Sequence, residues 1–189
     1  MLYPRRAFLA MSLIGLLGTS LPVLAADNPR VKVHTNHGEF EIELLAKLAP
    51  RTVTNFLELV DSDFYDDLVF HRVIANFMIQ GGGYTTGMRY VPGPKTVPNE
   101  SMNGVRNLRG TVAMARTEDP DSADTQFFIN VKDNAFLDAS NEGLGYTVFG
   151  RVVTGMDTVT SIELVNTHLA FGMAAVPEEA VIIHSIERI

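Results

Sequence analysis

Residues 70–82 read Phe70-His71-Arg72-Val73-Ile74-Ala75-Asn76-Phe77-Met78-Ile79-Gln80-Gly81-Gly82. Two short apolar runs, Leu68–Ile74 and Phe77–Gln80, flank Ala75-Asn76, and Gly83 completes a glycine triplet after the second run. Runs of this length bounded by turn residues are strand-sized, whereas a helix needs a longer periodic stretch. The triplet matches no phosphate-binding loop, because no Lys-Ser/Thr follows it. It is read as a turn in which the chain reverses.

The same pattern repeats on both sides. Downstream, Thr111–Ala115, Gln126–Val131, Thr147–Val153 and Val181–Ile186 are further short apolar runs set apart by Gly, Pro, Asn and Asp. Upstream, Val31, Val33 and Thr35 alternate with Lys32 and His34, Asn36-His37-Gly38 turns the chain, and Phe40, Ile42 and Leu44 alternate with Glu39, Glu41 and Glu43. Period-2 alternation of this kind is a β-hairpin with one wet face. Only two segments carry a helical signal. Pro50 opens the first, where its missing N–H costs nothing, and Val53, Phe56, Leu57 and Val60 fall on one stripe. The second runs from Met156 to about Leu164, with Met156, Val159 and Ile162 on one side. About eight strands with two helices favour a β-barrel or sandwich capped by helices. Asn166–Glu179 fits no recognised motif, and no repeat or linker divides the chain.

Composition narrows the chemistry. At 189 residues, 46% hydrophobic and 20% charged, the chain is an ordinary globular domain with enough length for a core. Cysteine is absent, which excludes disulfides, thiol nucleophiles and thiolate zinc sites. The formal charge of −7 argues against nucleic acid, where phosphate neutralisation dominates affinity. The histidines at 34, 37, 71, 168 and 184 show no metal-ligand spacing, and no Gly-x-Ser-x-Gly elbow is present. No metal and no cofactor are expected. Arg5 and Arg6, an uncharged stretch from Ala7 to Ala26 and the small-x-small Val23-Leu24-Ala25 make residues 1–25 a cleavable export signal, which leaves residues 26–189 as one domain. A membrane anchor is the alternative, weakened by Gly15, Gly18, Thr19, Ser20 and Pro22. Arg5-Arg6 also resembles the twin-arginine export pattern. The expected location is the periplasm.

Three segments carry the remaining signal: Phe70–Gly82, Met114-Ala115-Arg116, and Ser122-Ala123-Asp124-Thr125-Gln126-Phe127-Phe128-Ile129. They resemble the cyclophilins, peptidyl-prolyl cis–trans isomerases, and most closely the exported bacterial branch. The resemblance spans about Val31 to Ile186. It implies a mainly β fold, an eight-stranded antiparallel closed barrel capped by two α-helices, with a shallow groove on its outer face. It also implies a division of roles. Arg72 and Gln80 would be catalytic, with Gln80 positioning either Arg72 or the substrate carbonyl. Phe77, Met78, Phe128 and Leu137 would hold the proline ring, and Ala115, Arg116 and Gln126 would meet the peptide. Period-2 geometry independently turns Gln126 and Phe128 to one face and Phe127 to the core.

Each residue also has a plainer reading: Arg72 as an ion-pair arginine, and Phe77, Met78 and Leu137 as core. Three positions depart from the cytosolic family pattern. Phe136 stands where those members carry Trp, Tyr146 where they carry His, and Arg116 where they carry Asn. Arg116 puts positive charge near the residue preceding proline, with an expected shift toward acidic peptides. Phe136 offers no N–H donor, so only weak cyclosporin binding is expected. The implied partners are proline-containing peptides and unfolded exported proteins, acted on by a monomer. A non-catalytic peptide-binding chaperone of the same compartment is the competing reading.

Overall fold

The computed structural model describes residues 28–189, so the expected export segment lies outside the described residues. Eleven strands and two helices follow in order: β1 Arg30–Thr35, β2 Gly38–Leu44, α1 Pro50–Asp61, β3 Leu68–Val69, β4 Arg72–Ile74, β5 Met78–Gly81, β6 Thr111–Met114, β7 Phe127–Asn130, β8 Val148–Thr154, α2 Met156–Glu163, β9 Thr167–Ala170, β10 Met173–Pro177 and β11 Ile182–Arg188. Nine strands form one curled antiparallel sheet in the order β3-β11-β1-β2-β8-β6-β7-β5-β4, and β9 and β10 form a separate hairpin. The unread segment 166–179 is that hairpin. Phe171 and Gly172 occupy its turn with φ of 53° and 77°, a chemistry that Asn-Gly normally signals.

The expected closed barrel of eight strands is not what forms. The sheet is a nine-stranded half-barrel, and no ladder joins its edge strands β3 and β4. The reason lies in Leu68–Ile74, which the sequence presents as one apolar run. The run is cut at Phe70-His71: Leu68 and Val69 pair with β11, while Arg72–Ile74 pair with β5. Phe70 leaves the ladder, donates its N–H to the Val181 carbonyl at 2.9 Å, and enters the core edge-on to Phe127 at 5.9 Å.

The glycine triplet does not reverse the chain either. After it, Val69 N–H donates to the Tyr84 carbonyl at 2.9 Å and Thr85 bridges Leu68, so the strand continues beside 68–74 with a bend. Glycine is needed there for space. A Cβ on Gly81 would stand 3.0 Å from the Val69 carbonyl, and one on Gly83 would stand 2.4 Å from Cγ of Gln126.

The inner face of the sheet closes on α1. Phe56 of that helix meets Phe149 at 5.1 Å, Tyr65 at 5.3 Å and Phe127 at 5.7 Å. Offset and edge-on contacts of this kind add to plain area burial. Ala49 supplies no side-chain cap to α1. The Glu100 carboxylate, from a distant loop, accepts the Thr52 N–H at 2.9 Å and the Thr52 hydroxyl at 2.7 Å instead. Helix α2 packs against β2, β4 and β5, and its Glu163 accepts the Asn76 N–H at 2.8 Å. That bond pins the turn between β4 and β5, where Asn76 takes a positive φ of 58°, a conformation Asn tolerates better than most residues.

His71, at the break between β3 and β4, is 4% exposed, and its Nδ1 has no hydrogen-bond partner. The ring packs on Tyr84 at 4.5 Å. Burial, and after it the charge of neighbouring Arg72, push its pKa down to about 4 from an ordinary 6.5. Below that ordinary value the unfolded chain binds a proton that the folded chain refuses until about pH 4. Stability is therefore complete above about pH 6.5, falls as pH drops toward 4 and levels off below it. At about 1.4 kcal/mol per pKa unit the loss reaches about 3 kcal/mol. Denaturant midpoints measured between pH 7 and pH 4 should show this slope, and His71→Phe should flatten it. An unchanged slope in His71→Phe would exclude His71 as its source.

Candidate active site

Strand register builds the site. Arg72 of β4 lies directly opposite Gln80 of β5, Gln80 opposite Phe128 of β7, and Phe128 opposite Ala113 of β6. These residues form one row across four strands. Their chain neighbours Val73, Ile79, Phe127 and Ile129 point the other way, into the main core. The alternation that buries Phe127 thus forces Phe128 outward. The outer face nevertheless remains apolar. Met78, Ala113, Phe128, Leu137 and Val148 form a second buried cluster, with Phe77, Ala115 and Tyr146 packed against its edge.

Over this cluster opens a pocket of about 170 Å³. Phe77, Met78, Phe128 and Leu137 give it an apolar floor and wall, and Arg72, Gln80, Ala115, Arg116 and Tyr146 stand around it. Arg72 donates to Gln80 Oε1 at 3.3 Å and approaches Met78 Sδ at 3.9 Å. Gln80 in turn donates from Nε2 to Gln126 Oε1 at 3.1 Å. No carboxylate lies within salt-bridge distance of Arg72 among the described residues, so the ion-pair reading of this residue has no partner to rest on. Partial burial lowers the guanidinium pKa, and the Tyr146 phenol across the pocket pulls it back up. The group stays charged, with most of its five donors uncommitted.

Loops complete the pocket, and buried amides hold them. Asn134 donates from Nδ2 to the Phe77 carbonyl at 2.8 Å and to Asn130 Oδ1 at 2.7 Å. Asn130 donates to Asn107 Oδ1 at 3.2 Å, and all three side chains are buried. Asp138 accepts the Asn107 N–H at 2.6 Å and Arg106 Nε at 3.1 Å. Its partial burial favours the neutral acid, but these donors outweigh that and hold its pKa low. Leu137 sits directly between these anchors. Its carbonyl accepts the Tyr146 N–H at 2.9 Å, and the Gly145 N–H donates to Ser101 Oγ at 3.0 Å. The Tyr146 ring rests edge-on against Phe128 at 5.6 Å.

Nine of the eleven residues singled out from the sequence surround the pocket. Gln126 does not line it and is joined to it through Gln80 and through its own carbonyl, which accepts the Ala115 N–H at 2.9 Å. Phe136 stands outside, 74% exposed, with its ring stacked on Phe77 at 5.5 Å. Sequence reasoning missed Asn107, Asn130, Asn134 and Asp138. Asn130 directly follows the Phe127–Ile129 run, and its place on the outer face beside Phe128 was the available signal. Among the described residues no group of three or more His, Cys, Asp or Glu side chains is arranged to hold a metal.

The sequence matches the family model described as cyclophilin type peptidyl-prolyl cis-trans isomerase over residues 30–188. A peptidyl-prolyl cis-trans isomerase of Acinetobacter baylyi is 48% identical over 171 residues, which cover 90% of each chain. Peptidyl-prolyl cis-trans isomerase B of Escherichia coli is 50% identical over 82% of this chain and 97% of its own. Among solved structures, a Cryptosporidium parvum cyclophilin type isomerase superposes with a TM-score of 0.72 at 26% identity, covering 86% of this chain and 98% of its own. The same protein crystallised in the presence of the dipeptide Ala-Pro gives a TM-score of 0.69.

Proposed function

The chain belongs to the cyclophilin-type peptidyl-prolyl cis-trans isomerases and is an enzyme of that activity, and from this premise we propose that Arg72 drives the rotation by stabilising the twisted amide. The barrier to be lowered is about 18–20 kcal/mol, because the peptide C–N bond has partial double-bond character. Around proline the two planar isomers differ by only about 0.5–1 kcal/mol, so little is needed beyond a better fit to the twisted state. Twisting breaks resonance, and the proline nitrogen becomes pyramidal with a free lone pair. A guanidinium N–H directed at that lone pair binds the twisted form more tightly than either planar one, which is the condition for catalysis. Phe77, Met78, Phe128 and Leu137 hold the proline ring and exclude water, so the arginine acts in a low dielectric. Gln80, tied to Gln126, fixes the guanidinium. Backbone groups beside Ala115 and Arg116 pair with the extended substrate.

One observation carries this reading: a charged guanidinium at the edge of an apolar pocket, held by an amide and, among the described residues, neutralised by no carboxylate. Replacing it should lower kcat far more than peptide affinity. Arg72→Ala is expected to lose about 10²–10³ in turnover, with peptide dissociation constants moving only a few-fold, as measured by a protease-coupled assay and by titration. Near-native turnover in Arg72→Ala would exclude the mechanism.

The substrates of this reading are proline-containing segments of exported proteins, met in the periplasm after removal of residues 1–25. Its support is the Arg5-Arg6, uncharged-stretch and Val23-Leu24-Ala25 pattern. Intact-mass measurement on protein from the extracytoplasmic fraction should give a chain starting at Ala26 or Asp27. Full-length protein in the membrane or the cytoplasm would overturn it.

Cyclosporin should bind only weakly, since Phe136 presents an exposed ring without a donor. Titrating the drug against turnover checks this, and inhibition as tight as that of the cytosolic relatives would contradict it.

A further inference from the structure

Arg116 lines the same pocket as Arg72, but its guanidinium is spent differently. Nη1 donates to the Thr117 carbonyl at 2.8 Å and to the Glu118 carbonyl at 3.4 Å. Nη2 donates to the Leu144 carbonyl at 3.0 Å, and Nε to the Gly145 carbonyl at 3.3 Å. The same group lies over the Tyr146 ring, 4.7 Å from its centroid. One side chain therefore joins the turn after β6 to the loop before β8, and stacks on the pocket wall that this loop carries. The loop needs such a tie. Residues 141–144 are exposed, and the Tyr146 ring is partly buried against the outer apolar cluster, edge-on to Phe128.

We propose that Arg116 is a positioning residue, which sets the proline pocket by clamping Leu144–Tyr146 from the solvent side and holding the Tyr146 ring against Phe128. The proposal deepens the isomerase reading and rests on it. It replaces the expected preference for acidic peptides with a geometric role, because the carbonyls of four residues already occupy four of the five N–H donors that would meet a substrate carboxylate. A planar fork is required for this. Lysine keeps the charge but can neither reach carbonyls on both segments nor stack on the ring in the same way.

The test is steady-state isomerisation by the full mature chain and its Arg116→Lys and Arg116→Gln variants, on peptides with Glu or Lys before proline. Both variants should raise KM about tenfold, the effect of losing a stacked, hydrogen-bonded cation. Turnover should stay within about twofold, because Arg72 is untouched, and the Glu-to-Lys preference should not move. The near-UV circular dichroism of tyrosine should weaken in both variants while far-UV spectra stay native. Tyr146→Leu should raise KM similarly, and adding Arg116→Lys to it should cost little more, since two residues acting on one wall are not additive. Native KM in Arg116→Lys, or a Glu preference lost only in Arg116→Gln, would overturn the proposal in favour of a simple charge. Failure of the unaltered protein to turn over either peptide would instead strike the isomerase mechanism beneath it.

Discussion

The pairing register of β7 between β5 and β6 is the constraint on which the rest of the molecule depends. With Phe127 turned inward among Phe56, Tyr65 and Phe70, period-2 geometry leaves Phe128 no choice but the outer face. Gln80 and Arg72 then fall in line beside it on the next two strands. A one-residue slip of the β4–β5 pair against β7 would turn Val73 and Ile79 to the outer face and bury the Gln80 amide and the Arg72 guanidinium in their place. Burying an unpaired charge costs far more than any local gain. The core thus specifies the site: the free energy that fixes four aromatic rings inside also fixes the row of Arg72, Gln80 and Phe128 outside.

A sheet with apolar residues on both faces needs a cover on both. The inner face has α1, with a capping carboxylate lent by Glu100. The outer face has only loops, and loops are held by hydrogen bonds where helices are held by packing. Asn107, Asn130, Asn134 and Asp138 form a polar network beneath Leu137. Ser101 and Arg116 hold the loop from Leu144 to Tyr146. A buried network of satisfied amides is rigid, because each broken bond leaves a desolvated partner. Such a wall suits a pocket that must stay open and apolar, since a proline ring offers no charge by which to close it.

Legibility followed periodicity. The β1–β2 hairpin, the stripe of α1 and the bounds of α2 were readable because their patterns are local and unbroken. The inward Phe127 and outward Phe128 were readable from alternation alone. Strand pairing across the sheet was not. Leu68–Ile74 has the length of a single strand, and the polar His71-Arg72 within it, read as motif residues, were not taken to mark the break where the chain passes from one sheet edge to the other, so a closed eight-stranded barrel was expected in place of an open nine-stranded one. The β9–β10 hairpin was hidden because Phe171 occupies a left-handed turn position usually given to Asn or Gly. At the pocket, side chains belonging to a recognisable motif were found, whereas Asn134 and Asp138 were not. Their role appears only when the fold carries them beneath Leu137.

The central claim is that a guanidinium charge, held beside an apolar pocket, favours a twisted amide over both planar ones. Its most direct measurement is semisynthetic replacement of the guanidinium by the neutral, isosteric urea, Arg72→citrulline, with isomer exchange of a bound prolyl peptide followed by two-dimensional exchange NMR. The account predicts bound cis and trans populations close to native, with exchange between them slowed by about two orders of magnitude. Exchange at the native rate with a neutral side chain at position 72 would contradict it, and would locate catalysis in the apolar pocket alone.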